Sequence, residues 1–374
     1  MIQDVFIIGA TGNVGTELVK QIFEDDDTST VRHPNPTRIV GVASSESFLY
    51  SPYGLNAQEA RRFSERDFSG AKGYSTLREL VETANLTTRM VPSTLVFVDV
   101  TPADQEMTDF HLYVIEKTPY SIVTANKNPI ALSPFEIFQT LTAHPQRYGY
   151  RCSVMAGADV VPYLLDARDL NTGVRKVQGV LSGTNMYVTW RTETQLISRA
   201  EREAWELGYT ETRPQDDASG HDVARKSVVL ARCAGWNIGI DDVVLEPFVP
   251  AEYLRDESPE DFFVRLREYD EKFAGLVASA REKGNVLRYI TTTDFTGTKP
   301  QIRIGLKEVQ RGSTLGMLTE RTNKLLIIDR YHPENDPYSV EGKGAGLDVT
   351  AKNIRKEFLY MLPERVTVRL SNGI

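Results

Sequence analysis

The chain has 374 residues, a formal charge of −8, 41% hydrophobic residues and 25% charged residues. That composition excludes a disordered chain, because apolar residues are plentiful enough to build a core, and the length predicts two domains. The acidic balance excludes a general nucleic-acid binder, which needs a basic surface to neutralise phosphates.

Two cysteines, Cys152 and Cys233, cannot form a disulfide framework or supply a zinc site by themselves. No apolar run approaches the roughly 18 residues that span a membrane, and the first residues lack the basic segment and long apolar stretch of a secretory leader. The expectation is a cytoplasmic protein with no membrane or nucleic-acid partner.

In chain order, Val5-Phe6-Ile7-Ile8 is a short unbroken apolar run. Such a run predicts a strand buried on both faces of a parallel sheet. It leads into Gly9-Ala10-Thr11-Gly12-Asn13-Val14-Gly15, after which Val14, Leu18, Val19, Ile22 and Phe23 recur at helical spacing. Strand, glycine loop and helix open a dinucleotide fold. The glycines let the backbone turn and approach a pyrophosphate at the positive end of the helix. Asp25 to Pro36 reads as an exposed loop, and Arg38 to Ala43 as the second strand. After it come Ser44-Ser45-Glu46, with no carboxylate at the strand end itself to bond a ribose 2′-hydroxyl. That favours NADP weakly over NAD. Strands at Thr94 to Val100 and Ser121 to Ala125, with helices such as Leu77 to Ala84 between them, predict a doubly wound parallel sheet.

Beyond residue 155 the pattern changes. Lys176 to Leu181, Val286 to Thr291, Gln301 to Leu306 and Lys324 to Ile328 read as strands, with two long helical regions between the first two. The expected organisation is a Rossmann domain over 1–155 and an α+β domain with a mixed sheet over 156–330, which the resemblance described below would make the catalytic and dimerisation domain. A C-terminal segment, 331–374, would return to the nucleotide domain.

The most informative stretch runs from Leu207 to Lys226. Gly208 is placed to end a helix over Ile197 to Leu207 in the left-handed conformation. Asp216, Asp217 and Ser219 are candidate N-caps for the next helix. Asp222 and Lys226 stand at i and i+4, so they meet on one helix face. At about 100° per residue they share a stripe with Val229 and Cys233, while Arg225 and Arg232 fall on a polar side. A charged pair at the end of an apolar stripe is expected to be partly buried. Burial is one route by which lysine becomes useful in proton transfer.

This segment, with Ser182-Gly183-Thr184-Asn185 and Val123-Thr124-Ala125-Asn126-Lys127 upstream, resembles homoserine dehydrogenase. Ala156-Gly157, Gly342-Lys343-Gly344-Ala345-Gly346 and Thr350-Ala351 extend the resemblance over nearly the whole chain. The combined pattern G-Y-x-E, D-D, G-x-D-V-A-R-K is specific, although each piece alone is not. The resemblance implies interconversion of L-homoserine and L-aspartate 4-semialdehyde with a nicotinamide cofactor, in amino-acid biosynthesis toward threonine and methionine. It implies Lys226 as proton donor or acceptor at the substrate oxygen, Asp222 orienting it, and Lys127 as a second lysine at the reacting centre. Glu211, Asp217, Gly183 and Thr184 would hold the substrate. Gly9, Thr11, Gly12, Asn13, Val14, Gly15, Ser44, Ser45, Thr101, Lys127, Gly344 and Gly346 would hold the cofactor.

A homodimer through the second-domain sheet is also implied. Where the family commonly has an acidic residue beside a monovalent cation site, this chain has Arg151. A fixed cation there would repel another, so no metal is expected at that place. The end of the chain at Ile374 leaves no room for an appended regulatory domain or fused kinase, so threonine feedback through such a domain is not expected.

Three other readings compete. A cysteine-acylating semialdehyde dehydrogenase needs a nucleophilic thiol, whereas Cys152 and Cys233 read as small packed residues. Tyr113-x-x-x-Lys117 with Thr101 imitates the short-chain dehydrogenase pair but leaves the second domain unexplained. The five histidines show no metal-ligand spacing, and His221 falls on a solvated helix side. Outside these, a non-catalytic NADP-binding regulator would not need both lysines, and a dehydrogenase acting on another small amino-acid alcohol or aldehyde would keep them.

Overall fold

The computed structural model describes residues 2–31, 35–88, 95–343 and 346–362. The chain forms two compact units, one reaching Gly157 and resuming at Gly346, the other running from Ala158. The first unit contains β1 (Gln3–Ile8), α1 (Asn13–Glu24), β2 (Thr37–Ala43), β3 (Ser47–Tyr50), α2 (Ala57–Ser64), β4 (Lys72–Gly73) and α3 (Leu77–Thr88). It continues with β5 (Val96–Asp99), α4 (Gln105–Lys117), β6 (Ser121–Thr124), α5 (Asn128–Ala131), α6 (Phe135–Thr142) and β7 (Tyr148–Gly149).

The sheet order is β4-β3-β2-β1-β5-β6-β7. Strands β2, β1, β5, β6 and β7 run parallel, as expected of a doubly wound sheet. Strands β3 and β4 add an antiparallel edge that the hydrophobic pattern did not announce. Val5, Phe6, Ile7 and Ile8 are at most 2% exposed, the double-sided burial read from their unbroken apolar run. Phe6 opposes Gly41 across a shift in the β1–β2 register. Its ring fills the space that a Cβ on Gly41 would enter at 2.4 Å. Chain order reverses at β1, which has β2 on one side and β5 on the other, the position where open α/β sheets bind ligands beyond their strand ends.

The second unit contains α7 (Val160–Asp169), β8 (Lys176–Val180), α8 (Gly183–Arg191), α9 (Ile197–Glu206), α10 (Pro214–Ser219) and α11 (His221–Cys233). After these come β9 (Val243–Leu245), α12 (Pro259–Leu266), α13 (Asp270–Glu282), β10 (Asn285–Asp294), β11 (Gln301–Gln310), β12 (Thr322–Ile328) and β13 (Tyr338–Lys343). Its sheet, ordered β13-β12-β8-β10-β11-β9, is mixed: β9 pairs parallel with β11 and the other pairs are antiparallel.

The two long helical regions expected before β10 are several shorter helices. Gly208 at φ 69° and Gly220 at φ 77° end α9 and α10 in the left-handed region, and Pro214 and Pro259 start α10 and α12. Gly342 and Lys343, read from sequence as part of a loop, lie in β13, which pairs with β12. The segment after 330 therefore first completes the second sheet.

Only then does α14 (Leu347–Met361) join the first unit. Ala351, Ile354, Phe358 and Met361 form its apolar stripe, packed in one core with Val5, Ile7, Leu18 and Ile22. Arg355 ties α14 to the end of α1 through Asp27 at 2.6 Å and through Asp25.

Candidate functional site

The first unit carries a candidate site made of backbone. Gly9 has φ 88°, and the N–H groups of Gly9 and Ala10 both donate to Ala43 O, at 2.9 and 3.0 Å. A Cβ on Gly15 would stand 2.2 Å from Gly9 O, so only glycine lets α1 start this close to the loop. Helix α1 has no side-chain cap at Gly12 and no acidic residue in its first turn. Its N-terminal amides and dipole are thus available to an anion. Gly12 and Asn13 are exposed, Thr11 and Val14 half-buried. The cradle fits a pyrophosphate.

Two loops at the ends of β5 and β6 are tied to each other. Thr101 donates to Asp99 Oδ1 from its N–H at 2.9 Å and its hydroxyl at 2.8 Å. Thr124 donates to the other oxygen at 3.2 Å. Asn126 and Asn128 reach across to Ala103 O and Pro102 O, at 2.8 and 2.9 Å. Lys127, between them, is half-buried and precedes α5.

Behind this, His111 is fully buried. Its Nδ1 is 2.9 Å from the Tyr148 hydroxyl. Its Nε2 is 3.2 Å from Asp99 Oδ2, close but outside hydrogen-bond alignment. Ser44 spends its hydroxyl on the β2–β3 turn, accepting from Ser47 N at 3.1 Å, whereas Ser45 is exposed. Gly346 lies just before α14; Gly344 falls outside the described residues.

The second unit carries a candidate site made of side chains. Lys226 is 7% exposed. Its Nζ donates to Asp222 Oδ2 at 2.7 Å and to Leu181 O, just past β8, at 2.9 Å. Ser182 caps α8, accepting from Asn185 N at 3.1 Å. Thr184 donates to Tyr209 O at 2.7 Å, and Asn185 to Asp217 O at 3.1 Å. Glu211 N donates to Asp217 Oδ2 at 2.7 Å. Gly183, Thr184, Glu211 and Asp217 are thus knitted around the ends of β8 and α9, and Asp222 and Lys226 share α11. Burial first, and then the negative charges of Glu211 and Asp222, push the Asp217 carboxyl up to about 7 against the pull of that N–H bond.

Several local expectations change. Asp216 and Asp217 do not cap α11; they belong to α10, and the residue before α11 is Gly220, with no side-chain cap. A Cβ on Gly220 would meet the Tyr289 hydroxyl at 2.1 Å, so packing as well as the positive φ excludes a capping side chain there. Arg232 is not on a polar side but 2% exposed, its Nε donating to Ile238 O at 2.8 Å. Most of α11 beyond Asp222 is enclosed, including Val229 and Cys233, and His221 is exposed.

Cys152 is also buried, and burial and Glu357 raise its thiol pKa, so it is a poor nucleophile. Tyr113 lies under the Arg78 guanidinium at 4.9 Å and Lys117 pairs with Glu116 at 3.8 Å on the surface of α4. Arg151 stacks on Tyr360 at 4.4 Å, 3.7 Å from Glu357 Oε1. Among the described residues no group of three His, Cys, Asp or Glu side chains is arranged to hold a metal ion, and no helix is long and apolar enough to cross a membrane.

The sequence reading missed Glu201. It is fully buried on α9, and neither carboxylate oxygen has a hydrogen-bond partner among the described residues. Burial and the charge of Asp217 push its carboxyl up to about 8. The signal was present, because Glu201 falls at helical spacing with buried Ile197, Ala200 and Ala204.

A family model described as homoserine dehydrogenase matches residues 161–359. The chain belongs to the homoserine dehydrogenase family. A bifunctional aspartokinase/homoserine dehydrogenase from Buchnera aphidicola is 30% identical over 362 residues, 96% of this chain but 42% of the relative. A homoserine dehydrogenase from Emericella nidulans is 29% identical over 95% of this chain and 97% of its own length. The chain spans about two-fifths of the length of the bifunctional relatives it matches.

Among solved structures of the family fold, a putative homoserine dehydrogenase from Archaeoglobus fulgidus has a TM-score of 0.73 at 22% identity, covering 96% of this chain and 98% of its own. A hyperthermophilic archaeal homoserine dehydrogenase in complex with NADPH has a TM-score of 0.67 at 18% identity, covering 96% of both chains.

Proposed function

We propose that the protein is a homoserine dehydrogenase, an oxidoreductase that interconverts L-homoserine and L-aspartate 4-semialdehyde. The observation that carries this reading is the Lys226 ammonium, buried, held at 2.7 Å by Asp222 and at 2.9 Å by Leu181 O. An isolated ammonium is expensive to bury, and this one is compensated on two sides. NADP is the proposed cofactor, supported by the glycine cradle, by the absence of a carboxylate at the end of β2, and by the family fold seen elsewhere with NADPH. When bound it supplies or accepts the hydride.

The chain's own residues do the rest. In reduction Lys226 donates a hydrogen bond to the carbonyl oxygen, stabilises the charge that develops on it and delivers a proton there. In oxidation its neutral amine takes the proton back. Asp222 fixes the direction of Nζ. Glu211 receives the substrate ammonium, and Asp217, held by Glu211 N and Asn185, shapes the same pocket with Gly183 and Thr184. Gly9, Thr11, Gly12, Asn13, Val14 and Gly15 hold the pyrophosphate, Ser44 and Ser45 frame the ribose end, and Thr101, Lys127, Gly344 and Gly346 complete the cofactor site. Cytoplasmic location and a homodimer through the second-unit sheet belong to the same proposal.

The test is direct: purified protein, L-homoserine and either NADP⁺ or NAD⁺ at alkaline pH, with the absorbance of the reduced nicotinamide followed. Homoserine-dependent reduction is expected, faster with NADP⁺. No reduction with either cofactor at saturating substrate would overturn the reading in favour of a dinucleotide-binding regulator.

A further inference from the structure

An amino-acid substrate carries two charges, and the groups discussed so far answer only one. Glu201, Glu211, Asp217 and Asp222 make the surroundings of Thr184 acidic, which suits an ammonium and repels a carboxylate. Lys226 is already engaged by Asp222 and by Leu181 O. A separate cation is needed for the α-carboxylate.

Arg321 stands where that cation is required. It lies on the loop between β11 and β12, and its guanidinium stacks over the Tyr209 ring, 4.3 Å from the centroid. Tyr209 is the residue whose carbonyl accepts from Thr184 at 2.7 Å, and Glu211 follows two positions later. On its other side a Cβ built on Gly183 would come 3.2 Å from Arg321 O and 3.8 Å from Arg321 Nε. The side chain is therefore seated between Gly183 and Tyr209, against the residues proposed to hold the substrate.

Despite carboxylates nearby, Arg321 has no ion-pair or hydrogen-bond partner among the described residues, and its buried Nε is one of the few buried donors without an acceptor. A buried guanidinium donor left unsatisfied calls for an explanation, and a bidentate carboxylate is the ligand its planar fork matches best.

The loop that presents it is anchored. Arg288, 1% exposed, donates to Gly316 O at 2.7 Å and to Leu318 O at 3.0 Å, and is itself held by Glu193 at 3.1 Å. The chain then reaches Arg321 through Glu320 at φ 54°, a left-handed conformation that disfavours a non-glycine residue. Stacking on Tyr209 holds the guanidinium plane fixed and leaves its edge for a ligand.

We propose that Arg321 receives the α-carboxylate of the amino-acid substrate and thereby sets selectivity for an amino acid over the corresponding amino alcohol. The assignment rests on the dehydrogenase reading only for the identity of the substrate. It requires an amino acid in this pocket, not turnover.

Calorimetric titration of wild type, Arg321→Gln and Arg321→Lys with L-homoserine, and with 3-aminopropan-1-ol as the analogue lacking the carboxylate, tests it. The Gln variant should bind L-homoserine at least about 30-fold more weakly, as when one partner of a buried charged pair is removed. Its affinity for the amino alcohol and for NADPH should stay within about 2-fold, and the Lys variant should recover part of the loss. A Gln variant that binds L-homoserine as wild type does, or that loses both ligands equally, overturns the assignment. Wild type that binds L-homoserine in an Arg321-dependent way but never oxidises it overturns the dehydrogenase reading and leaves Arg321 in its role. Turnover with an unchanged L-homoserine affinity in the variant does the reverse.

Discussion

The candidate groups of the two units are built from different material. In the first unit the cradle is main chain: Gly9, Gly12 and Gly15 matter because they have no side chain, and a Cβ at Gly15 would collide with Gly9 O at 2.2 Å. In the second unit the candidate groups are side chains, with Lys226, Asp222, Asp217 and Glu201 on helices and Glu211 between α9 and α10. A backbone site should fail all at once when crowded. A side-chain site should fail in separable steps, each with its own pH dependence.

The largest effect on binding should come from crowding the cradle. Gly15→Ala should weaken NADPH binding about 100-fold, the upper end of what overpacking by one methyl produces, while L-homoserine affinity holds. A fluorescence titration of NADPH reads the first and calorimetry the second. Loss of both would break the division between a backbone site and a side-chain site.

Asp222→Asn keeps the shape of the Lys226 partner and removes its charge. Turnover should fall about 10-fold, equivalent to about 1.4 kcal/mol of transition-state stabilisation, with KM for NADP⁺ unchanged in steady-state kinetics. An Asn variant as fast as wild type would leave Asp222 with a packing role only.

Glu201 gives a pH test with a definite sign. Its carboxyl, 4.5 in an unstructured chain, is pushed to about 8. The fold therefore favours the neutral acid. That contribution is complete below about 4.5 and is lost as pH rises through about 8. Glu201→Gln, a neutral isostere, should match wild type near pH 4.5. It should gain on it progressively toward pH 8.5, by on the order of 5 °C in Tm. A Tm difference that does not change with pH would mean that Glu201 titrates normally.

The smallest effect concerns cofactor choice. Ser44 is spent on its own turn, so Ser45 is the hydroxyl open to a 2′-phosphate. Ser45→Ala should weaken NADP binding about 3-fold, the loss of a single exposed hydrogen bond, and leave NAD binding alone. Equal effects on the two cofactors would remove the support for NADP at this turn.

Legibility in the sequence followed the same division. The apolar run Val5 to Ile8 and the glycine spacing announced a parallel sheet and its loop because both depend on local rules, burial on two faces and positive φ. The i, i+4 spacing of Asp222 and Lys226 gave their contact for the same reason. The antiparallel edge of β3 and β4, and the joining of β13 to β12, depend on pairing between distant segments, which periodicity does not encode. Arg232 misled because its angular position is polar only if one side of α11 faces water, and the helix is enclosed around it. Glu201 was readable from its place on the stripe of α9. Arg321 was not, since nothing in T-E-R-T-N-K indicates that Tyr209 and Gly183 will flank its guanidinium.

The measurement that bears most directly on the account is the kinetics of Lys226→Ala with L-homoserine and NADP⁺, alongside its dissociation constant for NADPH. If Lys226 moves the proton, kcat should fall by about 10³, within the usual range for removing a general acid–base group, while NADPH binds as tightly as to wild type. Turnover within 10-fold of wild type would contradict the account, since a proton-transfer group is expected to contribute at least about 10².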